Sequence, residues 1–598
     1  MAMRSSLPVV LSVLAAGAVL SATADAPRPV ASHPQAAPPA SAVVAPQAVI
    51  ERSCVTCHND RAKAGGISLA GFSMASAGDV PEITEKMIRK VRAGQMPPAG
   101  GARDESALTA LAAALEAAAD AHASAASPGR RSFQRLNRAE YAQSVRDLLG
   151  LDVNAGDYLP LDTKMANFDN VADAQILSPT VMQSYLTAAA EISRLAVGDR
   201  SATAKEVSFL IPRTASQREQ VEGAPVGTRG GLSVLHTFPA DGEYRVRVSF
   251  YHETTGALYG NGRAALHTAE KPEQVEVSID GARVALLDVD RWMNSSDPDG
   301  VNLRTEPVRI TAGTHRVTAA FLTRFEGPVQ DLITPLDWSI ASTSIADAYG
   351  FTTLPHLRDM AITGPFSPTG VSDTAVRRRI FACHPEQAAQ QLQCAQRIIG
   401  TLASQAFRRR ASEKDVNALM DLYRQGAAEH GFEEGVRMAL EGILASPKFV
   451  FRFEGRPAGV RDGQGYAVTD VDLASRLSFF LWAAAPDAEL MRVAEAGRLS
   501  QAAELERQVR RMLADPRADV LASRFAAQWL RLQDLDKIHP DVRFYPDVDE
   551  QLKQSMRKET EAFFRHVMRE RRPITELFTA DYTFLDERLA KHYRIPGV

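Results

Sequence analysis

Two short stretches could do chemistry. The first is Cys54-Val55-Thr56-Cys57-His58, a C-x-x-C-H. Two thiols at this spacing can add to the vinyl groups of a haem, and the adjacent histidine is then carried to the iron, the attachment pattern of a c-type haem. With 4 Cys and 13 His in 598 residues, about 0.0006 accidental matches are expected, so chance is a poor rival. The competing chemistry is a redox or zinc Cys-x-x-Cys, and no second Cys pair stands at zinc-site spacing. The second stretch is Gly94-Gln95-Met96-Pro97-Pro98. Gly94 ends a helix and the prolines prevent its restarting, so Met96 is expected on a stiff loop from which a thioether can reach an iron. The bland reading, a methionine filling a core gap, stays open beside it. His58 and Met96 as the two axial ligands would close the coordination sphere, giving an electron-passing haem, one per chain, rather than an oxygen-activating one.

These residues need elements to position them. A short helix after Pro46 is expected to carry Cys54 to His58, and apolar periodicity predicts helices over Glu82–Ala93 and Asp104–Ala123. His122, on the second, is read as solvent-facing. Together they define a small α-helical cytochrome c domain over 47–126. Ahead of it, Arg4, the apolar run Leu7–Leu20 and Ala22-Thr23-Ala24 describe a secretory signal peptide over 1–26, which places the chain in the periplasm or outside the cell. The run is shorter than a spanning helix needs, and no membrane span is expected after cleavage. Residues 27–46 are a Pro/Ala-rich linker. A net charge of −4 gives no support to nucleic-acid binding.

The length calls for several domains, and the fold class expected is multidomain and mainly α. A small helical domain spans 130–200, where Asn137 caps a helix running to Leu149, with Glu140 completing a capping box, and Asp169-Asn170 forms a turn. Period-two patterning over Tyr244–Phe250, Val275–Ile279, Val284–Val289 and His315–Phe321, with a hairpin at Asp280-Gly281, predicts a jelly-roll-like β-sandwich over 205–345. Such a sandwich could bind carbohydrate on Trp292, Trp338 and Tyr251 and a cation on Asp297, Asp299 and Asn302. The alternative is a spacer with a solvated acidic turn. A helical domain over 375–460 holds Cys383 and Cys394, which outside the cytoplasm are expected to form a disulfide. Helices over Glu413–Gln425, Glu433–Leu444, Val471–Trp482, Ala502–Ala514, Val520–Leu532 and Asp549–Arg569 fill this region and a last domain, 465–598. There Phe479, Phe480, Trp482, Phe525 and Trp529 are expected to build a bundle core. His430, His539, His566 and His592 stand alone, and no metalloprotease, serine-hydrolase, P-loop or dinucleotide motif occurs.

The order of these segments resembles the large exported cytochrome c proteins of planctomycetes and some proteobacteria, which join a planctomycete-type cytochrome c domain to several domains of unknown function. The resemblance rests on Phe133-Gln134-Arg135-Leu136-Asn137-Arg138-Ala139-Glu140-Tyr141, on Ile362–Phe366 with Arg377–Phe381, on Ala445–Phe449, and on Leu473–Trp482 with Thr583–Leu589. It implies that Cys54, Cys57, His58 and Met96 are the haem residues. Family members usually continue into a second C-x-x-C-H, so it also implies that this sequence stops within such a domain. Three readings follow: a periplasmic electron-transfer cytochrome with an unidentified redox partner, the electron relay of an exported oxidoreductase, or a glycan-binding protein carrying a redox module.

Overall fold

The computed structural model describes residues 45–98, 103–124, 133–175, 177–252, 258–259, 272–323, 354–456, 459–461, 464–540, 544–545 and 547–597. The expected signal peptide, most of the linker and Trp338 lie outside them. The chain divides into two compact units, 1–129 and 130–598.

The N-terminal unit holds three helices, α1 (Pro46–Ser53), α2 (Pro81–Arg92) and α3 (Glu105–Ser124). Pro46 and Pro81 occupy first-turn positions, where their missing N–H costs nothing. Leu108, Leu111 and Leu115, spaced three and four apart on α3, bury against Val49 and Ile50 of α1 and Ile88 of α2. The α2 and α3 boundaries fall within a residue of those predicted.

In the larger unit, β1 (Gln134–Arg135), α4 (Arg138–Leu149) and α5 (Pro179–Val197) precede the sheets. After the sheets come α6 (Ala375–Ile380), α7 (Ala388–Ala406), α8 (Glu413–His430), α9 (Phe432–Ala445), α10 (Pro447–Val450) and β11 (Phe451–Arg452). The two sets, expected as separate domains 130–200 and 375–460, share one core: Tyr141, Tyr185 and Ile192 pack with Ile398, Leu440 and Phe449. A two-stranded ribbon joins them, Gln134 opposite Arg452. The sandwich is thus inserted within a single helical body.

That sandwich has β2 (Lys205–Leu210), β3 (Thr228–Phe238), β4 (Gly242–Phe250), β5 (Glu273–Ile279), β6 (Ala282–Val289), β7 (Asn302–Arg304), β8 (Val308–Ile310), β9 (Gly313–Leu322) and β10 (Leu357–Gly364). One sheet runs β2-β10-β4, with β7 and β8 both paired to β4; the other runs β3-β9-β5-β6. All pairs are antiparallel, and with β7 and β8 counted as one strand the order is that of a double Greek key. Side chains of both sheets meet in one core, Val246, Val248 and Met360 on one side, Val277, Val317 and Phe321 on the other. Asp280 (φ 50°) and Gly281 (φ 80°) make the predicted hairpin turn. Gly231 is required at a bulge in β3, because a Cβ there would stand 1.9 Å from the Ala319 carbonyl oxygen. The sheet extends past the expected limit of 345: β10 lies between β2 and β4.

Beyond it, α11 (Asp470–Trp482), α12 (Ala488–Glu495) and α13 (Ala502–Ala514) enclose a second helical core around Trp482, Leu490 and Met512. The helix predicted over Val520–Leu532 is instead a π-helical stretch, Leu521–Ala526, running into a single turn, α14 (Ala527–Trp529), and stopped at Arg531 by its left-handed φ of 60°. Then follow α15 (Glu550–Arg569), α16 (Glu576–Thr579) and α17 (Glu587–Tyr593). The expected aromatic core is corrected here. Phe479 and Trp482 are buried in two different clusters, whereas Phe480, Phe525 and Trp529 are 70%, 46% and 45% exposed. Among the described residues no helix is long and apolar enough to cross a membrane.

Candidate functional site

Cys54, Cys57 and His58 come together in one turn just past α1. The helix was expected to carry them, but it ends at Ser53: the Val55 N–H bonds back to Ile50, five residues earlier, and unwinds it. The N–H groups of Cys57 and His58 then both donate to the Cys54 carbonyl, at 3.2 and 3.0 Å. Asn59, which sequence reasoning missed, locks the turn from beneath. Its amide donates to Val55 and Thr56 carbonyls, and its Oδ1 accepts from the N–H groups of Arg61 and Ala62. A side chain with both donor and acceptor immediately after the motif was the available signal.

Both thiols are free, Cys54 half-buried at the edge of the unit's core and Cys57 exposed. Burial pushes the Cys54 thiol pKa up, the opposite of what an activated redox cysteine needs. Among the described residues no group of three or more His, Cys, Asp or Glu is placed to hold a metal ion. His58 is half-buried, and its Nδ1 is enclosed with no hydrogen-bond partner. Buried polar atoms are ordinarily paired, and this nitrogen is not. Two unpaired thiols, one of them open to solvent, beside a ring with no hydrogen bond at that nitrogen suit covalent haem.

Met96, half-buried, sits on the loop after α2, in the same unit. Gly94 turns the chain at φ 66°, and the N–H groups of Gln95 and Met96 both donate to the Lys90 carbonyl, at 3.0 and 3.1 Å. Arg103 clamps the loop on either side of Met96, donating to the carbonyls of Gly94 at 3.1 Å and Pro97 at 2.5 Å. Sequence reasoning missed Arg103, since nothing in its spacing shows that the chain returns to the loop. His122 is exposed, 3.9 Å from Asp79.

The other candidates disperse. The Tyr251 hydroxyl donates to the Ile211 carbonyl, Arg213 covers one face of its ring at 4.4 Å and His356 abuts it. Trp292 is 65% exposed, with only Arg291 stacked against it. Asp297 accepts from the backbone and amide of Asn294, and Asn302 donates to the Asp299 carbonyl: the acidic turn is closed on itself. Cys383 and Cys394 are joined in a disulfide, with Cα atoms 6.0 Å apart.

The stretch around Asn137 proves architectural. Arg135 is buried against Asp162 at 2.8 Å, the Asn137 and Glu140 side chains close a complete capping box, and Arg452 approaches Glu140 at 3.6 Å.

Three segments match protein-family models: residues 134–198 match PSD3, a protein of unknown function (DUF1587), residues 394–454 match PSD5 (DUF1595) and residues 468–595 match PSD4 (DUF1592). These three domains are typical of planctomycete multidomain proteins of the cytochrome c type. No curated protein matches the chain. Among solved structures, dimeric latent PorU from Porphyromonas gingivalis is 12% identical, over 27% of this chain and 12% of that one, with a TM-score of 0.13. A likeness so slight says nothing about the fold.

Proposed function

We propose that this protein is an exported c-type cytochrome that carries one haem c on Cys54 and Cys57, with His58 and Met96 as axial ligands, and passes electrons to a periplasmic partner. The observation that carries the reading is the turn after α1, which brings two free thiols beside a half-buried histidine. Bound there, His/Met-ligated haem supplies a one-electron couple of relatively high potential. The chain's own residues do the rest. Asn59 fixes the spacing of Cys54, Cys57 and His58, and Arg103 with the Lys90 carbonyl holds the Met96 backbone. The three family domains support the same reading, being typical of such proteins.

The oxidoreductase reading lacks a catalytic constellation. The glycan reading has lost Tyr251 and the acidic turn to internal bonding, which leaves Trp292 as its one exposed aromatic among the described candidates.

The test is a pyridine haemochrome assay on mature protein made in a host with haem-attachment machinery. One covalent haem per chain is expected; none would overturn the proposal. For Met96, the oxidised protein should show the weak far-red sulfur-to-iron band, and Met96→Ala should remove it.

A further inference from the structure

The larger unit contains a cavity of about 650 Å³, the scale of a small-molecule site. Its walls come from α4, α6, the end of α7 and the loop after it, α10, α12 and the loop before it, and Arg517. All three matched family segments contribute.

Six arginines line it against three carboxylates. Half of the arginines have acidic partners: Arg146 with Asp152, Arg409 with Asp472, and Arg517 with Asp515 and Asp487. Among the described residues the other three form no ion pair, although Arg379 stands near the Asp147 carboxylate. Arg379 donates to the Asp147 carbonyl, and Arg408, fully enclosed, donates only to the carbonyls of Ala406, Lys448, Phe449 and Phe451. Arg410 makes no hydrogen bond or ion pair among the described residues and is exposed. Burial, with Arg452 and Arg409 nearby, pushes Arg408 down to about 9, so it keeps its charge at neutral pH. Ser144, 4% exposed and part of the lining, has a hydroxyl with no partner.

The lining carboxylates are Asp147, Asp487 and the exposed Glu495. Asp487 is already bonded to Arg511 and Arg517. The Asp147 carboxylate accepts only from Gln143, and burial raises its pKa despite Arg517, Arg379 and Arg146. An open cleft that gathers guanidinium groups with no carboxylate bonded to them attracts an anion, and the planar guanidinium fork suits carboxylate and phosphate oxygens. Leu148, Phe449 and Met491 add an apolar wall for an organic body.

We infer that this cavity binds a small organic oxyanion, a carboxylate or phosphate ester, held by Arg379 and Arg410 with Ser144 as a hydroxyl donor and Arg408 supplying charge from behind. The inference goes beyond the electron-transfer reading and stands without it, since no lining residue belongs to the N-terminal unit.

The experiment is isothermal titration of the full chain with pyrophosphate, citrate and digalacturonate, with sucrose as the neutral control. Saturable one-to-one binding of at least one anion, and none of sucrose, is expected. The phosphate and carboxylate probes separate the two sources of the oxyanion. Arg410→Gln, which removes no internal contact, should weaken binding about tenfold at an unchanged melting temperature. Arg379→Gln should also weaken binding, while losing its bond to the Asp147 carbonyl, and Asp147→Asn should strengthen it. No saturable uptake of any anion up to ~10 mM, or equal affinity in wild type and Arg410→Gln, would overturn the inference. A Cys54→Ser, Cys57→Ser double variant should bind the anion as wild type does, which separates this result from failure of the haem reading.

Discussion

The turn at Cys54–His58 and the stretch at Phe133–Tyr141 are the two most distinctive motifs in the chain, and the structure treats them in opposite ways. The first lies at the surface of a small unit, with an exposed thiol and a histidine nitrogen that lacks a partner. The second is packed inside a large one: Leu136, Asn137, Glu140 and Tyr141 are all at most 2% exposed, and their polar atoms cap a helix or pair with Arg452. A motif whose polar groups are already spent on one another builds the fold, and one whose groups are left over is available for chemistry. The Tyr141 hydroxyl is an exception in detail, being buried without a partner, yet it too faces only core.

The widest separation between the two is expected from a pair of substitutions. Cys57→Ser should eliminate stable covalent haem while leaving urea unfolding of the larger unit unchanged. Glu140→Ala should leave haem content per folded chain alone and destabilise the larger unit by about 4 kcal/mol, the scale of a buried charge pair broken from one side. It strips the Asn137 N–H of its 3.0 Å acceptor and leaves Arg452 without its acidic neighbour. Unfolding would be followed by tryptophan fluorescence, since all four tryptophans lie beyond residue 130. If Cys57→Ser unfolds the larger unit, or Glu140→Ala removes haem, the contrast fails.

A second asymmetry is the disulfide, found only in the larger unit. It ties the start of α7, at Cys394, to Cys383 after α6, across 11 residues. Replacing both cysteines by serine should lower that unit's stability by about 3 kcal/mol in the chain-entropy account, read as a shift in urea midpoint with haem content unaltered.

How far each region could be read from sequence follows the same line. The C-x-x-C-H motif is local, so spacing alone singles out Cys54, Cys57 and His58 as candidates. The capping box at Asn137 and the hairpin at Asp280-Gly281 were legible because four residues or fewer decide them. Strand β10 was not. Arg358 and Asp359 stand near its start and shorten the apolar run of a central strand, and only the fold reveals that Asp359 is compensated by Arg247 at 2.9 Å and by the Ser249 hydroxyl. The aromatic group failed for another reason. Neighbouring residues on a helix point about 100° apart, so Phe479 can enter a core while Phe480 faces water, and composition cannot say which. The cavity's arginines are scattered from 146 to 517, and no spacing rule connects them.

The sandwich offers a pH-dependent sharpening. Burial pushes both His236 and His356 down to about 4, while an unfolded histidine titrates near 6.5. The unfolded chain therefore binds protons first as pH falls, and stability present above about pH 6.5 is lost progressively down to about pH 4. Between pH 7 and pH 5 the loss should be about 2 kcal/mol for each histidine. Differential scanning calorimetry across that range should show the larger unit's transition falling, and a His236→Gln variant that melts less steeply with pH. A transition flat from pH 7 to pH 5 would count against buried neutral histidines.

The smallest effect tests whether the loop of Met96 belongs with the chemistry or with the architecture. Arg103 bonds to carbonyls on both sides of Met96 and pairs with Glu105 at 2.7 Å. It touches no apolar core residue through these bonds, so Arg103→Ala should cost the global fold almost nothing. What it removes is the restraint on the backbone around Met96, worth about 1 kcal/mol once partial exposure is allowed for. That is enough to change a local equilibrium about fivefold without unfolding the unit. In the haem-loaded protein the far-red band should therefore weaken on warming well before the unit melts, and earlier than in wild type. If the band and the melting transition shift together, Arg103 is part of the general packing. If the band alone shifts, the N-terminal unit keeps the Met96 loop as an independently adjustable part.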